Sequence, residues 1–384
     1  MPDENRPVIG LVLTGGGARA AYQAGVLRYI SELYSSRQCP YSVFSGVSAG
    51  AINVVGLAAG ARNHAQTAKK LWTLWKNLRH DMVYKSDARS LLSIGVRFLM
   101  DLSMGGKVAP PTSNFLLDTT PLRALLQKEL IFNSLRMNIG NGIVKGVTLS
   151  ATNYLTGTNI TFYDTSQDAQ DWVRSQRISK STNLTIDHLM ASTAIPIFFP
   201  PVMLGSSYYG DGSVRLTSPI SPAIHLGSDR ILAIGIRHKL PAESILEMNR
   251  GRMDRIVMAD IAGLLLNSIF MDSLGSDIER LERINRSISR MDEQARKTHP
   301  DKLRPLRLLS ISPSQDLGAM AAGQFDNFPK LLQHLLRGIG ATGENGSELF
   351  SYLAFDGSYT TRLLELGYKD AQSRHDEIVS FFED

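Results

Sequence analysis

The sequence has one cysteine, Cys39, in 384 residues. No internal disulfide can form, and a chain of this length buries enough core to need none. That usage fits a reducing compartment. There is also no uninterrupted apolar run long enough to cross a bilayer; the stretch 256–271 is cut by Asp260, so no spanning helix is predicted. The opening residues, Met1-Pro2-Asp3-Glu4-Asn5-Arg6-Pro7, lack the basic start and apolar core of a secretory signal. The expectation is a cytoplasmic protein, with room for peripheral contact at a membrane surface. Dense Lys/Arg blocks, internal repeats, low-complexity tracts and metal-ligand spacings are missing too. A formal charge of +5 and a pI near 9.2 are mild for a surface this large and argue against a nucleic-acid partner. No carboxylate loop of the calcium-binding type is present, and no cofactor is called for.

What is there begins with a nearly continuous apolar run, Val8 to Thr14, which reads as a buried strand of a parallel sheet. Gly15-Gly16-Gly17-Ala18-Arg19-Ala20 follows at once, and Ala21 to Leu33 then carries apolar residues at helical spacing. A glycine loop between strand and helix has several uses. A dinucleotide fingerprint needs a third glycine where Ala20 stands, and an acidic residue closing the second strand. A phosphate-binding P-loop needs Gly-Lys-Ser/Thr, which is missing. A tight turn needs nothing more. The last use is an oxyanion hole, with backbone N–H groups of Gly15, Gly16 and Gly17 facing developing negative charge.

The second feature is Gly46-x-Ser48-x-Gly50. An apolar run, Tyr41 to Phe44, precedes it and a helix-compatible run, Ala49 to Ala59, follows it. Strand, sharp turn and helix in that order make a nucleophile elbow, with Ser48 at a strained apex. Gly46 and Gly50 leave room for strand and helix to approach, and the helix N-terminus points free N–H groups at developing charge. A glycine-rich turn with an incidental serine is the plainer alternative.

Further strands are expected at 146–153, 159–163, 230–236 and 306–312, and helices at 61–78, 185–193, 328–339 and 359–367. Thr120 is expected to cap a short helix with Pro121 at its first position. Ser90 to Met104 is amphipathic and reads as a packed helix, a mobile lid or a face that touches lipid. Ala194 to Val202 is apolar and broken by proline, as core or as the wall of an acyl pocket. Past residue 240 the chain turns helical and charged, with long helices expected over 244–249 and 254–296.

Gly15-Gly16-Gly17-Ala18-Arg19, followed about thirty residues later by Gly46-x-Ser48-x-Gly50, resembles the patatin-like phospholipases. The likeness continues through Ser192-Thr193-Ala194-Ile195-Pro196 and Phe199-Pro200-Pro201-Val202 into Gly210-Asp211-Gly212-Ser213. The family has Asp-Gly-Gly or Asp-Gly-Ala there; this chain has Asp-Gly-Ser, keeping the carboxylate. The resemblance covers residues 8–240 well and the remainder loosely. It implies a Ser48–Asp211 dyad without histidine, an oxyanion held by Gly15 to Gly17, and a role for Arg19 in ordering the loop or meeting an anionic head group. It also implies a lipid or other acyl-ester substrate, cleaved through an acyl-enzyme.

Strands alternating with helices indicate an α/β fold. The expected arrangement is a three-layer α/β/α domain over 8–240 with a mostly parallel sheet, and a mainly helical extension over 241–384 packed on it. The same dyad would serve a phospholipase A or lysophospholipase, an acyl thioesterase or a general carboxylesterase. An ordinary triad would draw on His225, His238, His299, His334 or His375. A lipid-binding or regulatory module without activity is the alternative of another class.

Overall fold

The structure is a computed structural model and describes residues 7–85, 114–248, 250, 256–299, 303–342 and 345–383. The amphipathic stretch Ser90 to Met104 lies outside the described residues. Ten strands form one sheet: β1 (Ile9–Leu13), β2 (Val43–Val47), β3 (Gly146–Asn153), β4 (Asn159–Thr165), β5 (Val173–Arg174), β6 (Arg177–Ser181), β7 (Val202–Leu204), β8 (Ser207–Asp211), β9 (Arg230–Ile234) and β10 (Arg307–Ile311). Their order is β10-β9-β1-β2-β3-β4-β6-β5, with β8 on β3 and β7 on β8. The run from β10 to β3 is parallel throughout. The glycine loop and Ser48 therefore leave the sheet side by side, at the carboxyl ends of adjacent strands, where open α/β sheets place their ligands.

The apolar runs alternate between two layers, because successive side chains of a strand face opposite ways. In β1, Ile9, Leu11 and Leu13 face the larger core while Val12 faces the smaller one. In β9, Leu232 and Ile234 face the first and Ile231 and Ala233 the second. Helices cover both faces, giving three layers. On the smaller side, the helix Asp272–Ser289 contributes Leu274, Ile278 and Leu281 at helical spacing. On the larger side, the helix Ala21–Leu33 packs against Gly357–Ser373 almost backbone to backbone. A Cβ on Gly25 would stand 2.1 Å from the Leu364 carbonyl oxygen, and one on Gly367 would stand 2.1 Å from the Tyr22 carbonyl oxygen. Each glycine admits the other helix.

Local chemistry explains where the elements depart from expectation. The short helix is Thr120–Glu129, and Thr119, not Thr120, is its cap residue. Thr119 makes no capping bond; Asp118 Oδ1 accepts instead from the Thr120 N–H at 2.8 Å and from its hydroxyl at 2.5 Å. An aspartate two residues earlier does the work expected of the threonine. The helical stretch expected over 254–296 is divided into Met258–Phe270, Asp272–Ser289 and Glu293–Thr298. The helix expected over 359–367 runs from Gly357 to Ser373, because Asp356 caps it by accepting from the Ser358 N–H at 2.9 Å.

Candidate active site

The site follows from the register of β3. Its first half pairs with β2, ending at Val47 opposite Ser150; its last three residues pair with β8, which ends at Asp211 opposite Ala151. The two strands thus run toward each other along one edge of β3. They stop at neighbouring positions, 150 and 151. Ser48 is the residue after β2 and Asp211 the last of β8. A separation of more than 160 positions along the chain collapses into adjacency.

Ser48 sits at φ 54° and ψ −137°, well outside the conformations open to an unstrained serine. Strain of this kind needs a surround that over-determines it. The Ser48 N–H donates to Ser192 Oγ at 3.0 Å, and Ser192 Oγ donates to the Ser150 carbonyl at 2.7 Å. A Cβ on Gly46 would meet Ala51 Cα at 2.7 Å, and one on Gly50 would meet the carbonyl oxygens of Thr14 and Leu13 at 2.5 and 2.6 Å. Only glycines let the helix Ala49–Ala59 start this close to β1 and β2.

Asp211 is fully buried. Its N–H donates to the Ala194 carbonyl at 2.9 Å, and its own carbonyl accepts from Thr152 Oγ1 at 2.8 Å. One carboxylate oxygen, Oδ1, accepts from the Ser213 N–H at 2.9 Å. The other, Oδ2, has no conventional hydrogen-bond partner. Burial pushes the carboxyl up to about 7, against the opposing pull of the hydroxyl of Ser48 and of the Ser213 backbone and hydroxyl. The Ser48 hydroxyl is therefore within electrostatic reach of Asp211, though not in full hydrogen-bond geometry with it.

The glycine loop closes the site on the third side. A Cβ on Gly15 would lie 2.6 Å from Ser48 Cβ and 2.5 Å from Ser213 Oγ. Gly16 precedes the short helix Gly17–Ala20, and its carbonyl accepts from the Arg19 N–H at 3.1 Å. Gly17 is at φ +55°, where a side chain would be strained and would meet the Tyr352 carbonyl oxygen at 2.2 Å. Arg19 is not turned toward this space. Its guanidinium is buried, paired with Glu348 Oε2 at 2.5 Å, donating to Ser351 Oγ at 2.8 Å, and stacked 4.2 Å from the Tyr352 ring centre. A head-group contact for Arg19 has no support in this arrangement.

An apolar cleft adjoins the serine. Gly17, Ser48, Ala49 and Ile52 line it together with Trp75, Leu78, Val83, Leu122, Leu126 and Phe355. Ile195 and Phe199 of the proline-broken stretch line it too. Between them Ile197 points outward at φ +71°, so that stretch is partly wall and partly surface.

Several residues that hold the site drew no attention in sequence. Gln23 Nε2 donates to the Thr14 carbonyl at 2.8 Å, Asn53 Nδ2 to the Ala20 carbonyl at 3.0 Å, and Trp75 Nε1 to Asn53 Oδ1 at 2.8 Å. This buried chain ties both ends of the glycine loop to the helix behind Ser48. The available signal was polarity: Asn53 is the one amide in an otherwise apolar helix. Three of the five histidines named for a triad have partners of their own. His225 stacks on Trp172 at 4.5 Å, His238 Nδ1 contacts the Pro313 carbonyl, and His375 Nδ1 contacts the Tyr29 hydroxyl. No histidine is among the groups that act on Asp211. Among the described residues no cluster of His, Cys, Asp or Glu could hold a metal ion, and no helix is long and apolar enough to cross a membrane.

With a mostly parallel sheet, a strained serine and a glycine loop at its carboxyl edge, the chain belongs to the patatin-like phospholipase family, whose model matches residues 11–224. Membership supports a lipid-hydrolase function. Among solved structures, the chain is similar to human GIVD cytosolic phospholipase A2 bound to methyl γ-linolenyl fluorophosphonate: 14% identity, 98% of this chain and 58% of that one, TM-score 0.44. It is also similar to VipD from Legionella pneumophila (13% identity, 94% and 67% covered, TM-score 0.34) and to the type III effector ExoU (14%, 94% and 53%, TM-score 0.32). The chain thus spans between about half and two thirds of these proteins. No curated protein matches it.

Proposed function

We propose that the chain is a serine acyl hydrolase that cleaves carboxylic esters of lipids through a Ser48–Asp211 dyad. The observation that carries this reading is the register of β3, which ends β2 and β8 at adjacent positions and leaves Ser48 and Asp211 together beside the glycine loop. A serine hydroxyl needs a base to become a nucleophile. An aspartate in water titrates near ~3.9 and is a feeble base. Asp211, lifted to about 7 by burial, is matched to the task.

In the first step Ser48 Oγ attacks the ester carbonyl carbon while its proton passes to Asp211 Oδ2. Negative charge moves to the carbonyl oxygen, where N–H groups of Gly15 to Gly17 and of the helix starting at Ala49 receive it. The C–O bond to the alcohol then breaks, and Asp211 returns the proton to the departing oxygen. Water attacks the acyl-enzyme and gives a proton to Asp211; as the acyl C–O bond to Ser48 breaks, Asp211 passes that proton to Ser48 Oγ and the acid leaves. The apolar cleft beside Ser48 suits an acyl chain.

The test is a panel of phospholipids, lysophospholipids, acylglycerols, simple esters and acyl thioesters, with Ser48→Ala and Asp211→Asn as controls. Both variants are expected to lose at least ~10³-fold in kcat. The panel ranks phospholipase against thioesterase and carboxylesterase, which share this machinery. A fluorophosphonate should label Ser48 in the folded protein; absence of labelling, with no turnover of any ester, would make the chain a lipid-binding module instead.

A further inference from the structure

The glycine loop is held from outside the span of the family model. Residues 258–271 and 345–353 lie beyond position 224, yet among the described residues they supply the side chains that hydrogen-bond Arg19. Glu348 Oε2 accepts from Arg19 Nη2 at 2.5 Å and from Asn267 Nδ2 at 2.8 Å. Asn267 Oδ1 accepts from the Tyr352 hydroxyl at 2.7 Å. Met271 Sδ faces Arg19 Nη1 at 3.0 Å. Tyr352 presents its ring to the guanidinium and its carbonyl oxygen to Gly17. At the end of the same helix as Asn267, Phe270 packs against Gly15, where a Cβ would meet its ring at 3.0 Å. The helices Met258–Phe270 and Ser347–Leu353 thus grip the loop at both Gly15 and Gly17.

We propose that Glu348 is a positioning residue for catalysis, fixing the Gly15–Gly17 donors through its ion pair with Arg19. The assignment rests on the acyl-hydrolase reading above. The reasoning is geometric. Arg19 is two residues from Gly17 and its guanidinium is buried. A buried guanidinium left without its carboxylate must find another partner or reach for water, and either shifts the backbone that carries it. Gly17, at φ +55° and pressed on the Tyr352 carbonyl, is the link that would turn first. Oxyanion donors are worth their full effect only when held where charge develops, and a misplacement of about 1 Å can cost about a hundredfold.

The experiment measures kcat and KM on a soluble acyl ester, the rate of fluorophosphonate labelling at Ser48, and amide exchange over residues 14–20. Glu348→Ala should lower kcat at least about tenfold with KM within about twofold, slow labelling by a similar factor, and speed exchange in the loop while β3 stays protected. Glu348→Gln keeps an oxygen acceptor without the charge and should recover only part of the rate, falling between wild type and Glu348→Ala. Adding Arg19→Met to Glu348→Ala should cost no more than the worse single variant, because the pair acts as one unit. The proposal is overturned by unchanged kcat and labelling in Glu348→Ala, by additive losses, or by a loss that only tracks the unfolded fraction. If Glu348→Ala does not fold, Asn267→Ala removes one donor to the same carboxylate; unchanged kcat and exchange there would also overturn the proposal. A wild-type chain that neither turns over esters nor labels would sink the hydrolase reading, while the exchange measurement would still decide whether Glu348 holds the loop.

Discussion

At Asp211 the proposed function comes with a cost in stability. Its carboxyl is raised to about 7, chiefly by burial. In the proposed dyad the working base is the ionised form, so kcat/KM should rise about tenfold per pH unit below pH 7 and level off above it. A pH–rate profile on a soluble ester checks this; a limb near pH 4 would mean a solvated carboxylate. The stability consequence has the opposite sense. The folded carboxyl titrates above its unfolded value of about 3.9, so the folded state binds more protons between about pH 4 and pH 7. The contribution of Asp211 is therefore least unfavourable at low pH and worsens as pH rises through that window. Asp211→Asn should raise stability at pH 8 by something on the order of 2–4 kcal/mol, and by little near pH 4. Urea melts at the two pH values measure it. Ser48 and Asp211 were both legible as motif members. The serines, threonine and amides that hold them were not, since nothing in a lone Ser192 or Asn53 tells which backbone group it will meet.

Among the elements, the closest approaches are made by glycine. At Gly50 a Cβ would stand 2.5 Å from the Thr14 carbonyl and 2.6 Å from that of Leu13, both backbone atoms that cannot swing aside. Gly50→Ala should destabilise the fold by about 1–3 kcal/mol and lower kcat, by parting the helix from β1; thermal melts and ester kinetics together check it. The helix Thr120–Glu129 places Leu122, Leu125 and Leu126 in the cleft. Leu126→Trp should fill that space, cutting kcat/KM on long-chain esters by about tenfold or more while short-chain esters change little. Equal losses on both would mean that acyl chains do not enter this cleft. The main strands were readable because a parallel sheet buried on both faces leaves continuous apolar runs. β5 and β6 were not, since Val173, Arg174 and Ile178 lie exposed or half-exposed at a sheet edge without such a run.

For the molecule as a whole, the C-terminal third is woven into the same body. β10 extends the parallel sheet beside β9. Asp370 accepts from the Tyr22 hydroxyl at 3.0 Å, and Asp277 accepts from the Ser218 hydroxyl at 2.6 Å. The helices carrying Gly25 and Gly367 interlock. A chain ending at residue 240 would expose the face of Ala21–Leu33, strip β9 of one of its two neighbours and lose the Arg19 partners. It should fail to fold cooperatively, seen as loss of a sharp thermal transition and of fluorophosphonate labelling. A stable, active fragment would show instead that residues 8–240 are self-sufficient.

The sequence alone determined the kind of molecule: apolar runs of strand length alternating with helical periods, a glycine loop after the first strand, and a serine between paired glycines after the second. These are local properties, set by side-chain period and backbone sterics. How the strand ending at Asp211 comes to stop beside the one leading to Ser48, what holds Arg19 and how the last hundred residues pack were decided only in three dimensions. Each depends on strand register or on contact between segments distant in the chain, and neither leaves a mark in the spacing of residues along it. The strands that carry Ser48 and Asp211 end side by side because β3 is long enough to pair with both in succession on one edge.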